Sequence, residues 1–141
     1  MIKWFEKHNK ISWIITILIA TIIYYVSSLV FEPGIPGGFP WKSIAYHFYA
    51  FLCFSGFLLI SLTRGENKKL IPLTIILAII YAISDEIHQL FVPTRAFVIS
   101  DILTDSSGIL FAVLIYIGLR YDEFKENHKN NKLNMEDNIY Y

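Results

Sequence analysis

Four stretches of this chain, residues 11–31, 43–62, 70–92 and 97–121, are each apolar almost throughout. A helix needs roughly 20 residues to cross a hydrocarbon core about 30 Å thick, so each is long enough to span a membrane. That pattern predicts an all-α membrane protein. Between the second and third runs lies only the short charged turn Arg64-Gly65-Glu66-Asn67-Lys68-Lys69, and Pro72 falls in the first turn of the third, where its missing N–H is no loss. These two helices are expected as a tight hairpin within a four-helix antiparallel bundle. A hydrophobic share of 55% in 141 residues agrees with a chain embedded in lipid.

The first run follows Lys3, Lys7 and Lys10, as a secretory signal would, but it exceeds the roughly 7–15 residues of a signal's apolar core. It is expected as a retained span. Ten of the twelve Lys and Arg residues (Lys3, Lys7, Lys10, Arg64, Lys68, Lys69, Arg120, Lys125, Lys129 and Lys132) fall at the two termini and the middle turn, and only Lys42 and Arg95 fall in the other loops. The positive-inside rule then predicts cytoplasmic termini, with a multi-pass protein of the cell membrane. Residues 1–121 form the expected membrane domain. Residues 122–141 are polar and mixed in charge, and are expected as a cytoplasmic tail in which the last helix frays. The outer loop Glu32-Pro33-Gly34-Ile35-Pro36-Gly37-Gly38-Phe39-Pro40-Trp41 is too rich in Pro and Gly for a helix. Its Phe39 and Trp41 suit the headgroup level.

Composition closes off several functions. With 12 basic against 12 acidic residues there is no basic surplus for nucleic acid. A lone cysteine, Cys53, allows neither an intramolecular disulfide nor a cysteine cluster for zinc. No cofactor is expected.

The informative polarity is confined to residues 84–108, SDEIHQLFVPTRAFVISDILTDSSG, which set four carboxylates, a histidine, a glutamine and an arginine between two apolar runs. An ionisable group inside a membrane segment costs at least a few kcal/mol at the bilayer centre, which makes this segment the expected site. Asp85, Glu86, His88 and Gln89 arrive together near the end of the third helix. On the fourth, Asp101 and Asp105 lie one turn apart on one face, and Gly108 continues that face without a side chain to hold a neighbour away. Early in the second helix, His47 is expected as an interhelical hydrogen-bonding partner or, with carboxylates nearby, as a member of a shared polar pocket, and the same holds for His88. Four carboxylates exceed the nearby fixed cations, Arg95 and the more distant Lys42, so the surplus must be met by protons, a cation or a ligand.

Four readings fit these residues. In a structural network, Arg95 would bridge Glu86 and Asp101 or Asp105. A metal-dependent hydrolase would use the Asp, Glu and His residues as ligands, although Glu86 and His88, two apart on a helix, point about 200° away from each other. A proton- or ion-coupled carrier would need at least a dimer, which leaves a homo-oligomer open. In the fourth reading, the outward-facing acidic site recognises an amphiphile whose tail lies in the bilayer.

The run Asp85-Glu86-Ile87-His88-Gln89-Leu90-Phe91-Val92-Pro93-Thr94-Arg95, followed by Ser100-Asp101, Asp105 and Gly108, resembles the signature of the VanZ-like family. Tyr25-Val26-Ser27-Ser28 and His47-Phe48 extend the likeness, which covers most of residues 20–118. It implies a small multi-span membrane protein. The family's named member lowers susceptibility to teicoplanin, a glycopeptide with a fatty chain, without altering the peptidoglycan stem, so the implied partner is a membrane lipid or an amphiphilic glycopeptide. Membership itself does not choose between binding it, acting on its head group and carrying ions. By carry-over, Glu86, Gln89, Arg95, Asp101 and Gly108 occupy the motif positions. Thr94 stands where the family often has glycine, and Asp105 where it often has asparagine.

Overall fold

A computed structural model of the chain describes residues 2–30 and 41–137, with side chains through residue 126. It contains helices α1 (Ile2–Lys7), α2 (Asn9–Ser27), α3 (Trp41–Thr63), α4 (Ile71–Gln89) and α5 (Ile99–Asp137), with a 3₁₀ turn at Lys68–Leu70 before α4. The described residues include no strand. Four helical segments, Asn9–Ser27, Trp41–Thr63, Lys68–Gln89 and Ile99–Glu126, are long and apolar enough to cross a membrane. Helices are the natural choice there, because each satisfies its backbone amides internally where lipid offers none. The loop expected at the headgroups, residues 31–40, lies outside the described residues.

Helix α3 packs against α1, α2, α4 and α5. Its Phe51, Phe54 and Leu58 meet Ile23 of α2, Ala78 and Ala82 of α4 and Ile109 of α5 in the buried centre. The methyl side chains of Ala78 and Ala82 are wholly covered, and they let α4 approach its neighbours closely. Hydrogen bonds add direction to this apolar contact. Tyr81 of α4 donates from its hydroxyl to the Ala20 carbonyl of α2 at 2.7 Å, and Thr16 of α2 meets Ser61 of α3 at 3.1 Å.

Close approach of α3 and α5 depends on Gly108. A Cβ at this position would strike the Phe48 carbonyl oxygen and come within 3.1 Å of the Leu52 nitrogen, both backbone atoms that cannot swing aside. Gly108→Ala should therefore push the helices apart and cost about 1–3 kcal/mol, read as lowered thermal stability in detergent. The control is Gly56→Ala on α3. Nothing lies within 4 Å of the added Cβ there, so stability should be kept or raised.

At the end holding the termini, a second polar assembly forms that the sequence reading did not foresee. Glu6 of α1 and Arg120 of α5 are both buried and pair at 3.2 Å. Tyr116 donates to Glu6 Oε1 at 3.0 Å and meets the Thr63 hydroxyl at 2.5 Å. Arg120 Nη2 donates to the Gly65 carbonyl at 2.7 Å, and Nη1 reaches Glu123 at 2.5 Å. Gly65 has φ +73°, and a side chain on it would collide with both Glu6 and Arg120. The turn after α3 is thus clamped between the first and last helices.

Boundaries differ from expectation: α2 ends at Ser27, short of the expected residue 31. Helix α4 ends at Gln89 rather than running to residue 92, because Pro93 follows and Thr94 takes φ +68°. Helix α5 is one element from Ile99 to Asp137, past the expected end at Tyr121. Residues 122–137 contain neither Gly nor Pro to stop it, and Lys3 pairs with Glu123 at 2.7 Å along the extension.

Candidate functional site

Helix termini bring the acidic segment together at the end of the bundle opposite Glu6. Glu86 sits at the C-terminal end of α4, where the helix dipole opposes a negative charge. Its side chain turns toward the start of α5, where the dipole favours one, and Oε2 accepts from the Val98 N–H at 3.0 Å. The side chain is fully buried. Asp101 and Asp105, one turn apart on α5, face His47 of α3: Nδ1 lies 2.9 Å from Asp105 Oδ1, and Nε2 lies 3.5 Å from Asp101 Oδ2. His47, Glu86 and Asp105 form the buried middle of this group, with one potential ligand atom from each within 4.8 Å of the others.

Asp85 is the immediate neighbour of Glu86 in sequence, but successive helix residues point about 100° apart. It faces α2, where Ser27 donates to Oδ2 at 2.9 Å. The Gln89 side-chain amide connects the two sides, donating at 3.1 Å to Asp85 Oδ2 and at 3.1 Å to Glu86 Oε1. His88 points elsewhere. It bonds Ser28 at 2.9 Å and packs on the Tyr24 ring at 4.5 Å, between α2 and α4 and away from His47.

Among the described residues, no ion pair joins Arg95 to Glu86, Asp101 or Asp105, the bridge expected of it. The guanidinium reaches back to the end of α2, where Nη2 donates to the Val26 carbonyl at 3.4 Å. Among the described residues, Asp101 and Asp105 find their ion-pair partner in His47, and the Glu86 oxygens are taken by Gln89 and Val98. The reason lies in the turn: the left-handed residue Thr94 reverses the chain just before Arg95. A left-handed backbone is costly for a β-branched residue and free for glycine, which is the residue the VanZ-like pattern often places there.

Sequence reasoning left two contributors out of the site. Ser27 was visible only as part of the Tyr25-Val26-Ser27-Ser28 resemblance, with nothing to say that it meets Asp85. Tyr46 precedes His47, and its ring centroid lies 5.6 Å from the imidazole. Its hydroxyl, Asp85 Oδ1 and Asp105 Oδ2 are buried and have no hydrogen-bond partner among the described residues.

The VanZ/LLP1 family model matches residues 4–120, a range that contains Glu86, Gln89, Arg95, Asp101 and Gly108. The chain belongs to the VanZ/LLP1 family. The match takes in the first three apolar helices, the fourth as far as residue 120, and every residue of the acidic centre, so the site lies within the matched family domain. No curated protein and no solved structure matches this VanZ/LLP1 chain. Chemically, its centre can accept hydrogen bonds, hold a cation or exchange a proton through His47.

Proposed function

We propose that this VanZ/LLP1 protein receives the polar head of an amphiphilic envelope component, a membrane lipid or a lipoglycopeptide of the teicoplanin kind, at the outer face of the cell membrane. The observation that carries the reading is the gathering of Glu86, Asp101 and Asp105 around His47, with Asp85 tied to Glu86 through Gln89, and with one oxygen each of Asp85 and Asp105 buried without a hydrogen-bond partner among the described residues. Uncompensated acid in a membrane end is costly to keep for structure alone. An apolar crevice of about 450 Å³ supports a place for the tail. It runs between α2 and α3, lined by residues including Ile19, Ile23, Tyr46, Tyr49 and Cys53, and so shares Tyr46 with the acidic centre. The orientation follows from the ten-to-two division of Lys and Arg, which turns the Glu6 end inward.

A second reading, chemistry on the head group, is favoured by the buried Asp105–His47 pair. A carboxylate on one imidazole nitrogen orients the ring for proton transfer at the other. Purified protein incubated with lipid extract and a labelled lipoglycopeptide separates the two. Retention without any product, weakened about 10-fold or more in Glu86→Gln and Asp101→Asn, is the expected result. A new lipid product by mass spectrometry would replace binding with catalysis, and neither retention nor product would return the centre to a structural role.

A further inference from the structure

We propose that His47, Glu86 and Asp105 form a binding site for one divalent transition-metal cation. The three residues come from α3, α4 and α5, and their ligand atoms lie within 4.8 Å of one another. Their exposures are 2%, 0% and 0%, so the two carboxylates are removed from water beside a single imidazole. Such charge persists only when something neutralises it.

Acidic clustering alone would not identify a ligand, and the second observation is the state of Asp105. One oxygen is engaged by His47, whereas Oδ2 has no hydrogen-bond partner among the described residues, although the side chain is fully buried. A buried oxygen with only lone pairs to offer needs a donor or a cation, and leaving it with neither is costly.

The distances suit an ion. Ligands bound at about 2.0–2.2 Å stand roughly 3 Å apart when adjacent and roughly 4 Å apart when opposite. His47 Nδ1 and Asp105 Oδ1 stand 2.9 Å apart, and the 4.8 Å limit on the whole set asks for closure by about an ångström. Binding the ion would require the Nδ1 proton that meets Asp105 Oδ1 to be given up, and Asp101, 3.5 Å from Nε2, stands nearest to hold a proton on that other nitrogen once it closes in. Carboxylates behind metal-binding imidazoles play this part in general. One imidazole with two carboxylates suits Mn²⁺, Fe²⁺ or Zn²⁺ better than Mg²⁺ or Ca²⁺, which favour all-oxygen surroundings.

The test uses the ion alone, so its failure is distinct from failure of the head-group reading. Purified protein, stripped with chelator and equilibrated with Mn²⁺ or Zn²⁺, should carry about one ion per chain by elemental mass spectrometry after gel filtration. It should also gain several degrees in Tm. Asp105→Asn and His47→Gln should each lose the ion, and Asp101→Asn should weaken it by about 10–100-fold. Asp85→Asn, on the face toward α2, should retain it. A wild-type protein that binds no ion, or one whose stoichiometry survives both Asp105→Asn and His47→Gln, overturns the proposal. The wild-type measurement decides even where a variant does not fold.

Discussion

His47→Ala is expected to destabilise the metal-free protein by roughly 3–5 kcal/mol, the cost of leaving buried charge without its partner. His47 stands between Asp101 and Asp105 at 3.5 and 2.9 Å, and it joins α3 to α5 at a depth where water does not compensate. The doubly substituted His47→Leu/Asp105→Leu protein should recover much of that loss, because two apolar side chains replace both the imidazole and the acid it served. Unfolding in detergent measures each. A double-mutant cycle with a coupling under about 0.5 kcal/mol would show that the pair does not act as a unit.

A comparable loss, again roughly 3–5 kcal/mol, is expected for Arg120→Ala at the opposite end. This guanidinium serves Glu6, Glu123 and the Gly65 carbonyl in different directions. Arg120→Lys should restore only part of the stability, since an ammonium cannot reproduce a planar fork with several fixed donors. Losing the Glu6 contact also frees α1, so trypsin should cut at Lys7 and Lys10 sooner than in the wild-type protein. Unchanged proteolysis together with unchanged melting would mean that α1 is held by apolar contacts such as Phe5 against Phe57.

The spans were legible because lipid imposes a length and a composition, and both can be read along the chain. The acidic segment was legible for the converse reason: polarity in such a run is expensive. Pairing between helices was another matter. Arg95 lies near the carboxylates in sequence, which suggested a local bridge, but one left-handed residue sends it toward α2. His47 and Asp105 are separated by 58 positions, and Glu6 and Tyr116 by 110. No local periodicity encodes such contacts. Asp85 and Glu86 appear as one acidic pair in sequence, yet a helix turns them toward different neighbours. Past Tyr121 the polar composition suggested fraying, and the absence of Gly and Pro allows the one helical element that runs to Asp137.

The two hydrogens of the Gln89 amide are both committed, one to the acid facing α2 and one to the acid facing α5. In a bilayer, apolar side chains meet lipid about as well as they meet one another, so the Leu and Ile surfaces of α4 say little about how far the helix should be rolled around its own axis. Directional polar contacts decide that angle. A roll of one residue, about 100°, would break the Ser27–Asp85 and Glu86–Val98 contacts together, and the Gln89 fork makes the two fail as one. The acidic centre therefore sets the rotational register of the helix that carries it, so a charge-removing substitution there alters the orientation of a membrane span as well as the chemistry at its end.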